Sequence, residues 1–299
     1  MTGAISSHTG DSPVDTASGP SSSTTVQLRG SVTMPVVGMG LYLVDPADMT
    51  PVVHTALDRG YRLFDTASMY GNGGNEAGLG AALGSSGIAR EEVFLTSKAW
   101  NDEQGSGPVR DALQRSLERL RTDHLDLYLI HWPAPGQGQF IQTWETLLEL
   151  QREGLIRAAG VANFEADHIE QLIEATATAP AVNQIEVHPH LQQTPLLAYN
   201  ASVGTATQAW SPLARGGAIL RDRTIADIAA AHRRTPGQVI LRWHLQRGTS
   251  ITPKSAKPER ISDNIDLFTF ALDDAEMGAI ANLERGHRTG PDPRTFPQN

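Results

Sequence analysis

Residues 109–132 read VRDALQRSLERLRTDHLDLYLIHW, and the two halves of this stretch follow different periods. In the first half Val109, Ala112, Leu113, Ser116, Leu117 and Leu120 recur every three or four residues, which places them on one face of a helix. In the second half Leu125 to His131 is almost continuously apolar. Such a run suits a strand buried on both faces, as in a parallel sheet covered by helices. A helix turning directly into a doubly buried strand is the repeating unit of an α/β fold.

Outward from this unit, similar short apolar runs occur at Val36–Gly40, Arg62–Thr66, Val93–Lys98, Ala158–Val161, Val182–Val187, Thr207–Trp210 and Ser250–Pro253. Helical segments separate them. Thr224 with Asp227 reads as a helix start in which side chains cap backbone donors. Thr235-Pro236-Gly237-Gln238 is a second start, with Pro at the first helical position, and Asp273 with Glu276 opens a last helix. Eight strand–helix units without a linker predict a (β/α)8 TIM barrel, a single domain over residues 26–299. Residues 1–25 are rich in Ser, Thr, Gly and Pro and read as a disordered N-terminal tail.

Composition narrows the function classes. The 299 residues carry a net charge of −9, which argues against nucleic acid as a partner because phosphate neutralisation needs a basic face. There is no cysteine, so disulfides, thiolate nucleophiles and zinc–thiolate sites are excluded. No basic start with an apolar run suggests a secretory signal, and no stretch approaches the roughly 20 apolar residues of a membrane span. These features predict a cytoplasmic protein. No heptad or other assembly pattern appears, which predicts a monomer.

In a barrel of this kind the active site forms from the loops after the strand C-termini. Strand two ends in Phe64-Asp65-Thr66-Ala67 and runs on to Tyr70, strand three ends at Lys98, and strand four ends in His131-Trp132-Pro133. Four ionisable groups therefore sit on three consecutive strands at one end. Each suits carbonyl reduction, in which hydride arrival builds negative charge on oxygen and a proton donor must be close. Tyr70 can donate, Lys98 can ease the loss of its proton, Asp65 can orient the lysine, and His131 can position the substrate oxygen. Taken singly, each has an ordinary alternative: a strand-end Asp caps helices, a Lys covers surface, and a His-Trp pair lines a core.

Two other barrel chemistries compete with this one. His188 and His190 would share one strand face as metal ligands, but no further ligand set accompanies them and no metal is expected. A glycoside hydrolase needs paired carboxylates. Strands four and seven end instead in His131-Trp132 and Trp210-Ser211.

The blocks Asp65-Thr66-Ala67-Ser68-Met69-Tyr70-Gly71-Asn72, Lys98-Ala99-Trp100-Asn101 and Leu129-Ile130-His131-Trp132-Pro133 resemble the catalytic blocks of the aldo-keto reductases. Gly160 to Phe164, Asn183 to Pro189, Ala209 to Leu213 and Pro253 to Arg260 come in that family's order. Within it, Ser86 to Arg90 and Gln238 to Gln246 are most similar to the bacterial 2,5-diketo-gluconic acid reductases. The resemblance implies NADPH as cofactor, a small carbonyl compound as substrate, and a tetrad of Asp65, Tyr70, Lys98 and His131. It implies that Asn163 and Gln184 hold the nicotinamide carboxamide, that Trp210 stacks on the ring, and that Ser211 and Leu213 lie along the pyrophosphate. Tyr42, Trp100 and Trp132 match the substrate wall. Histidine at 131, where a glutamate marks reduction of a steroid double bond, implies carbonyl–alcohol interconversion. An NADPH-binding regulatory or sensor subunit with little turnover stays open as the alternative.

Lys254, Lys257 and Arg260 stand out in an acidic chain, and a 2′-phosphate requires cationic hydrogen-bond donors. They favour NADP over NAD, with Ser255 and Asn264 at family positions that complete this adenosine end. Three departures matter. Gly73-Gly74-Asn75 intervene before Glu76, an insertion directly after Tyr70 that glycine is expected to loosen. Ala162 replaces a serine and forgoes one hydrogen bond to the carboxamide, worth about 0.5–1.5 kcal/mol. Trp210 stands where tyrosine is commoner. The Gly-rich segment 134–139 predicts an open mouth, over which Gly290 to Phe296 can close.

Overall fold

In the computed structural model, which describes residues 24–297, the eight apolar runs form one parallel sheet. Its strands are β3 (Met39–Gly40), β4 (Leu63–Asp65), β5 (Phe94–Ala99), β6 (Leu125–Ile130), β7 (Ile156–Ala162), β8 (Val182–Glu186), β9 (Ala206–Trp210) and β10 (Ser250–Ile251), hydrogen-bonded in sequence order. The sheet closes on itself where Gly38 N donates to Ile251 O at 2.8 Å, Ile251 N to Val36 O at 2.8 Å and Gly40 N to Pro253 O at 3.2 Å. This is the (β/α)8 barrel expected. An antiparallel hairpin, β1 (Thr25–Gln27) with β2 (Thr33–Pro35), precedes it. The expected tail ends two residues into described structure, because Thr25 already pairs with Pro35; residues 1–23 lie outside the described residues.

Two apolar layers hold the barrel. Met34 of the hairpin, Leu63, Phe94, Leu127, Leu129, Ala158 and Val182 form an inner cluster. A larger outer cluster joins the opposite strand faces to α1 (Met49–Asp58), α2 (Gly74–Ser86), α3 (Ser106–Leu120), α4 (Phe140–Arg152), α5 (Ala166–Thr176), α6 (Thr194–Ser202), α7 (Arg223–His232), α8 (Pro236–Gln246), α9 (Pro258–Ile265) and α10 (Asp274–Ala281). The six α3 positions that the sequence period selects are all buried. Full burial of one such aliphatic side chain contributes about 1.5–3 kcal/mol. No helix among the described residues is long and apolar enough to cross a membrane.

The capping box at Thr235 forms, with Thr235 Oγ1 accepting from Gln238 N at 3.3 Å and Gln238 Oε1 accepting from Thr235 N at 3.0 Å. Asp273 caps α10 in the same way. The start at Thr224 is corrected: Asp222, in extended backbone, caps α7 by accepting from Thr224 N at 2.9 Å. Asp227 instead lies on the exposed helix face, 3.6 Å from Arg223. A carboxylate two residues upstream reaches the first free N–H, which a hydroxyl already inside the helix does not.

Candidate active site

The strand register sets the site. β4 ends at Asp65, and Asp65 pairs with Thr96 of β5, so Lys98 projects from β5 two residues further along. Both face the barrel interior. Lys98 Nζ donates to Asp65 Oδ1 at 2.6 Å and to Thr66 O at 2.8 Å, and its ammonium lies 5.3 Å from the centre of the Tyr70 ring. The Tyr70 ring in turn stands 5.8 Å from the His131 imidazole, nearly perpendicular to it. The structure therefore brings all four tetrad residues together.

Electrostatics refine the expected roles. Burial around the Tyr70 hydroxyl, then the Asp65 carboxylate and Tyr42, push the phenol well above its ordinary value, although the ring itself is only half-buried. The sequence reading has Lys98 easing proton loss. In the folded molecule burial and the Asp65 charge outweigh any such easing in the resting site, so the phenol keeps its proton. Burial lowers the Lys98 ammonium from its usual range, with Asp65 and Glu76 opposing the shift. Burial and the Lys98 charge hold His131 far below the usual imidazole value, so it is neutral at pH 7. Among the described residues its Nδ1 has no hydrogen-bond partner.

The amides predicted for the cofactor are already wired to the tetrad. Gln184 Nε2 donates to Asp65 Oδ2 at 2.7 Å and to Gln208 Oε1 at 2.6 Å. Asn163 Nδ2 donates to His131 O at 2.9 Å, and Asn163 Oδ1 accepts from Trp210 Nε1 at 2.8 Å. Asn163 itself has a left-handed backbone (φ 63) that turns its amide back toward β6. Gln184 Oε1 and the second Asn163 amide hydrogen stay without partners among the described residues, one acceptor and one donor. That is what a primary carboxamide requires, so the residues present fit the nicotinamide end. Ser211 also has positive φ (47), and Leu213 is half-buried behind it.

The adenosine-end residues are arranged differently. Lys254, Lys257 and Arg260 are exposed, and among the described residues their side chains have no ion-pair or hydrogen-bond partner. Ser255 Oγ accepts from Lys257 N at 3.1 Å, and Asn264 is buried on α9 with its amide unused. Three cations without protein partners beside an unused amide suit a phosphate ester. None of these side chains shares a hydrogen bond with the tetrad.

An aromatic wall flanks the tetrad. Tyr42 is 46% exposed and its ring lies 4.9 Å from Tyr70; Trp100 lies 4.9 Å from His131. Phe296, which sequence reasoning does not single out as a wall residue, packs 4.7 Å from Trp132 and 6.3 Å from Trp100. The C-terminal segment thus lies over the mouth.

The insertion after Tyr70 is a correction. Its glycines predict a loosened segment, yet Asn75 and Glu76 are buried. Asn75 accepts from Thr66 Oγ1 at 2.8 Å and donates to Leu41 O at 2.9 Å. Glu76 accepts from Ser97 Oγ at 2.6 Å and from Arg119 Nη1 at 3.1 Å. Left-handed backbone at Gly71, Asn72 and Gly73 carries the chain into these contacts. The ends of β3, β4 and β5 are consequently tied together behind the tetrad. Sequence reasoning misses Glu76, Ser97 and Arg119, since nothing local marks a buried carboxylate with two distant partners. No group of three or more ligating side chains that could hold a metal, around His188 and His190 or elsewhere, occurs among the described residues. His188 Nε2 pairs with Glu186 Oε1 at 3.1 Å.

Comparison with known proteins agrees with this geometry. The profile of the aldo/keto reductase family matches residues 37–285. A methylglyoxal reductase DkgA of Escherichia coli O157:H7 is 43% identical over 274 residues, covering 91% of this chain and 98% of that protein. An aldo-keto reductase of Mycolicibacterium smegmatis is 46% identical over 271 residues, covering 91% and 97%. Among solved structures, a mutant of Gox0644 in complex with NADPH superposes with a TM-score of 0.86 at 43% identity, covering 91% of this chain and 98% of that one. The Bombyx mori aldo-keto reductase in complex with NADP gives 0.84 at 34% identity, covering 91% and 96%. The chain belongs to the aldo/keto reductase family.

Proposed function

We propose that this protein reduces aldehydes or ketones to alcohols with NADPH, Tyr70 protonating the carbonyl oxygen. Family membership and the nucleotide-bound relatives support an NADP-dependent oxidoreductase. The observation that carries the reading is the buried Lys98 ammonium held between the Asp65 carboxylate and the Tyr70 ring. Bound NADPH supplies the hydride. Asn163 and Gln184 orient the carboxamide, Trp210 offers its ring face to the nicotinamide, and Ser211 and Leu213 border the pyrophosphate. Lys254, Lys257 and Arg260, with Ser255 and Asn264, take the 2′-phosphate end.

Neutral His131 donates or accepts a hydrogen bond without adding charge, which fits a residue that positions a carbonyl oxygen. Tyr70 keeps its proton until negative charge develops on that oxygen, and Lys98 then stabilises the phenolate left behind. Tyr42, Trp100 and Trp132 form an apolar wall that accepts many carbonyl compounds, because hydrophobic contacts alone discriminate weakly. Methylglyoxal is the first substrate to try, given the relatives that carry its name.

The test is NADPH oxidation followed with methylglyoxal, a keto-sugar acid and an apolar aldehyde. Multiple turnovers with any of them support a reductase. Tight NADPH binding with no turnover across the panel contradicts it and favours the regulatory alternative.

A further inference from the structure

The carboxylate of Glu186, the last residue of β8, is 1% exposed and plays no part in the chemistry above. It is nevertheless heavily used. Glu186 Oε1 accepts from Thr289 N at 2.7 Å and from Thr289 Oγ1 at 2.5 Å, while Oε2 accepts from Gly290 N at 3.1 Å. His188 adds a fourth donor. Four hydrogen bonds onto one buried carboxylate make a strong anchor, since bonds to a charged acceptor are stronger than neutral ones.

The anchor holds a strap that crosses the mouth. Arg288 and Arg294 both pair with Glu165, at 3.0 and 3.2 Å, and Phe296 ends the crossing against Trp132. Between them Gly290 lies against the indole of Trp210. A Cβ on Gly290 would stand 2.5 Å from Trp210 Cη2 and 3.3 Å from Cζ2, closer than carbon atoms approach without displacement. The Nε1 of the same indole is fixed by its hydrogen bond to Asn163 Oδ1 at 2.8 Å. The ring is thus held at Nε1 and at the adjoining Cζ2–Cη2 side, which restricts both its position and its tilt.

We propose that Glu186 and Gly290 are positioning residues for the cofactor: they seat the strap against Trp210 and so set the plane on which the nicotinamide ring stacks. Gly290 serves because any side chain there pushes the indole out of that plane. Glu186 serves because it fixes the strap backbone at the point of contact. Phe296, carried on the same strap, completes the aromatic wall from the substrate side. The inference rests on Trp210 being the stacking residue.

The experiment measures NADPH binding in the binary complex, by titration of nucleotide fluorescence and by the absorbance of the stacked indole–nicotinamide pair. Gly290→Ala is expected to weaken NADPH about tenfold and to diminish the stacking signature, as overpacking by one methyl displaces the ring. Glu186→Gln, which keeps the shape and loses the charge, is expected to do so less than Glu186→Ala. Truncation after His287 should reproduce the loss seen with Gly290→Ala. Phe296→Ala should raise KM for an apolar aldehyde and leave the nucleotide signature unchanged. If Trp210→Ala abolishes the signature while the Gly290, Glu186 and truncated variants bind NADPH as tightly as the parent, the positioning role is overturned. If Trp210→Ala itself changes nothing, the stacking assignment fails instead.

Discussion

The two ends of the proposed cofactor cleft are built on opposite plans. At the chemical end Lys98, Asp65 and Gln184 form one set of side-chain hydrogen bonds and Trp210, Asn163 and the His131 carbonyl another, the two joined by Asn163 N donating to Gln184 O, and all but Trp210 are buried. At the phosphate end Lys254, Lys257 and Arg260 stand in solvent without protein partners among the described residues. The difference reflects the task of each end. Proton and hydride transfer require groups fixed within a fraction of an ångström, which needs a dry, satisfied network. Capture of a phosphate needs only charge and donors, whose partner arrives with the ligand.

Removing one member of the wired end should have the largest effect. Lys98→Met leaves the buried Asp65 carboxylate without its cation. A fall in kcat of about 10³-fold is expected, together with a loss of about 3–5 kcal/mol in stability. Steady-state kinetics and urea unfolding check both, and a stable variant would break the contrast. At the phosphate end Arg260→Ala should leave folding and kcat near normal and weaken NADPH about ten- to a hundredfold, with NADH unaffected. Equal losses for the two nucleotides would remove the 2′-phosphate assignment.

A third effect concerns the loop after β9. His244 Nε2 meets Pro212 O at 3.1 Å beneath this loop, and burial pushes the imidazole down to about 3. Between that value and about 6.5 the unfolded chain takes up a proton that the folded chain refuses, so stability falls as pH falls through this window. At pH 4.5 the loss is about 3 kcal/mol relative to pH 7. Unfolding of His244→Gln at pH 7 and pH 4.5 should show a shallower acid loss than the parent; identical slopes would count against it.

Much of the fold is legible in the sequence because periodicity reports burial directly. The α3 face and the doubly buried β6 emerge from spacing alone. Closure of the barrel is legible only as a count of units; the bonds that make it, from Gly38 to Ile251 and from Gly40 to Pro253, join residues more than 200 positions apart. The helix start at Asp222 is misplaced by two residues because Thr224 offers an equally good capping side chain, and only backbone angles distinguish them. That Asp65, Tyr70, Lys98 and His131 come together can be read from strand ends. The direction of the Tyr70 shift cannot, since it depends first on how deeply the folded chain buries the hydroxyl and then on the Asp65 carboxylate nearby. Glu76 and Glu186 escape notice for a related reason: their partners, Arg119 and Thr289, lie far away in sequence.

The most direct test of the account is Tyr70→Phe. The variant keeps the ring beside Lys98 and His131 and lacks only the proton. Rapid mixing with an aldehyde should show hydride transfer slowed by about 10³-fold, with NADPH affinity close to that of the parent. Hydride transfer at the parental rate would contradict the assignment of Tyr70 as the acid.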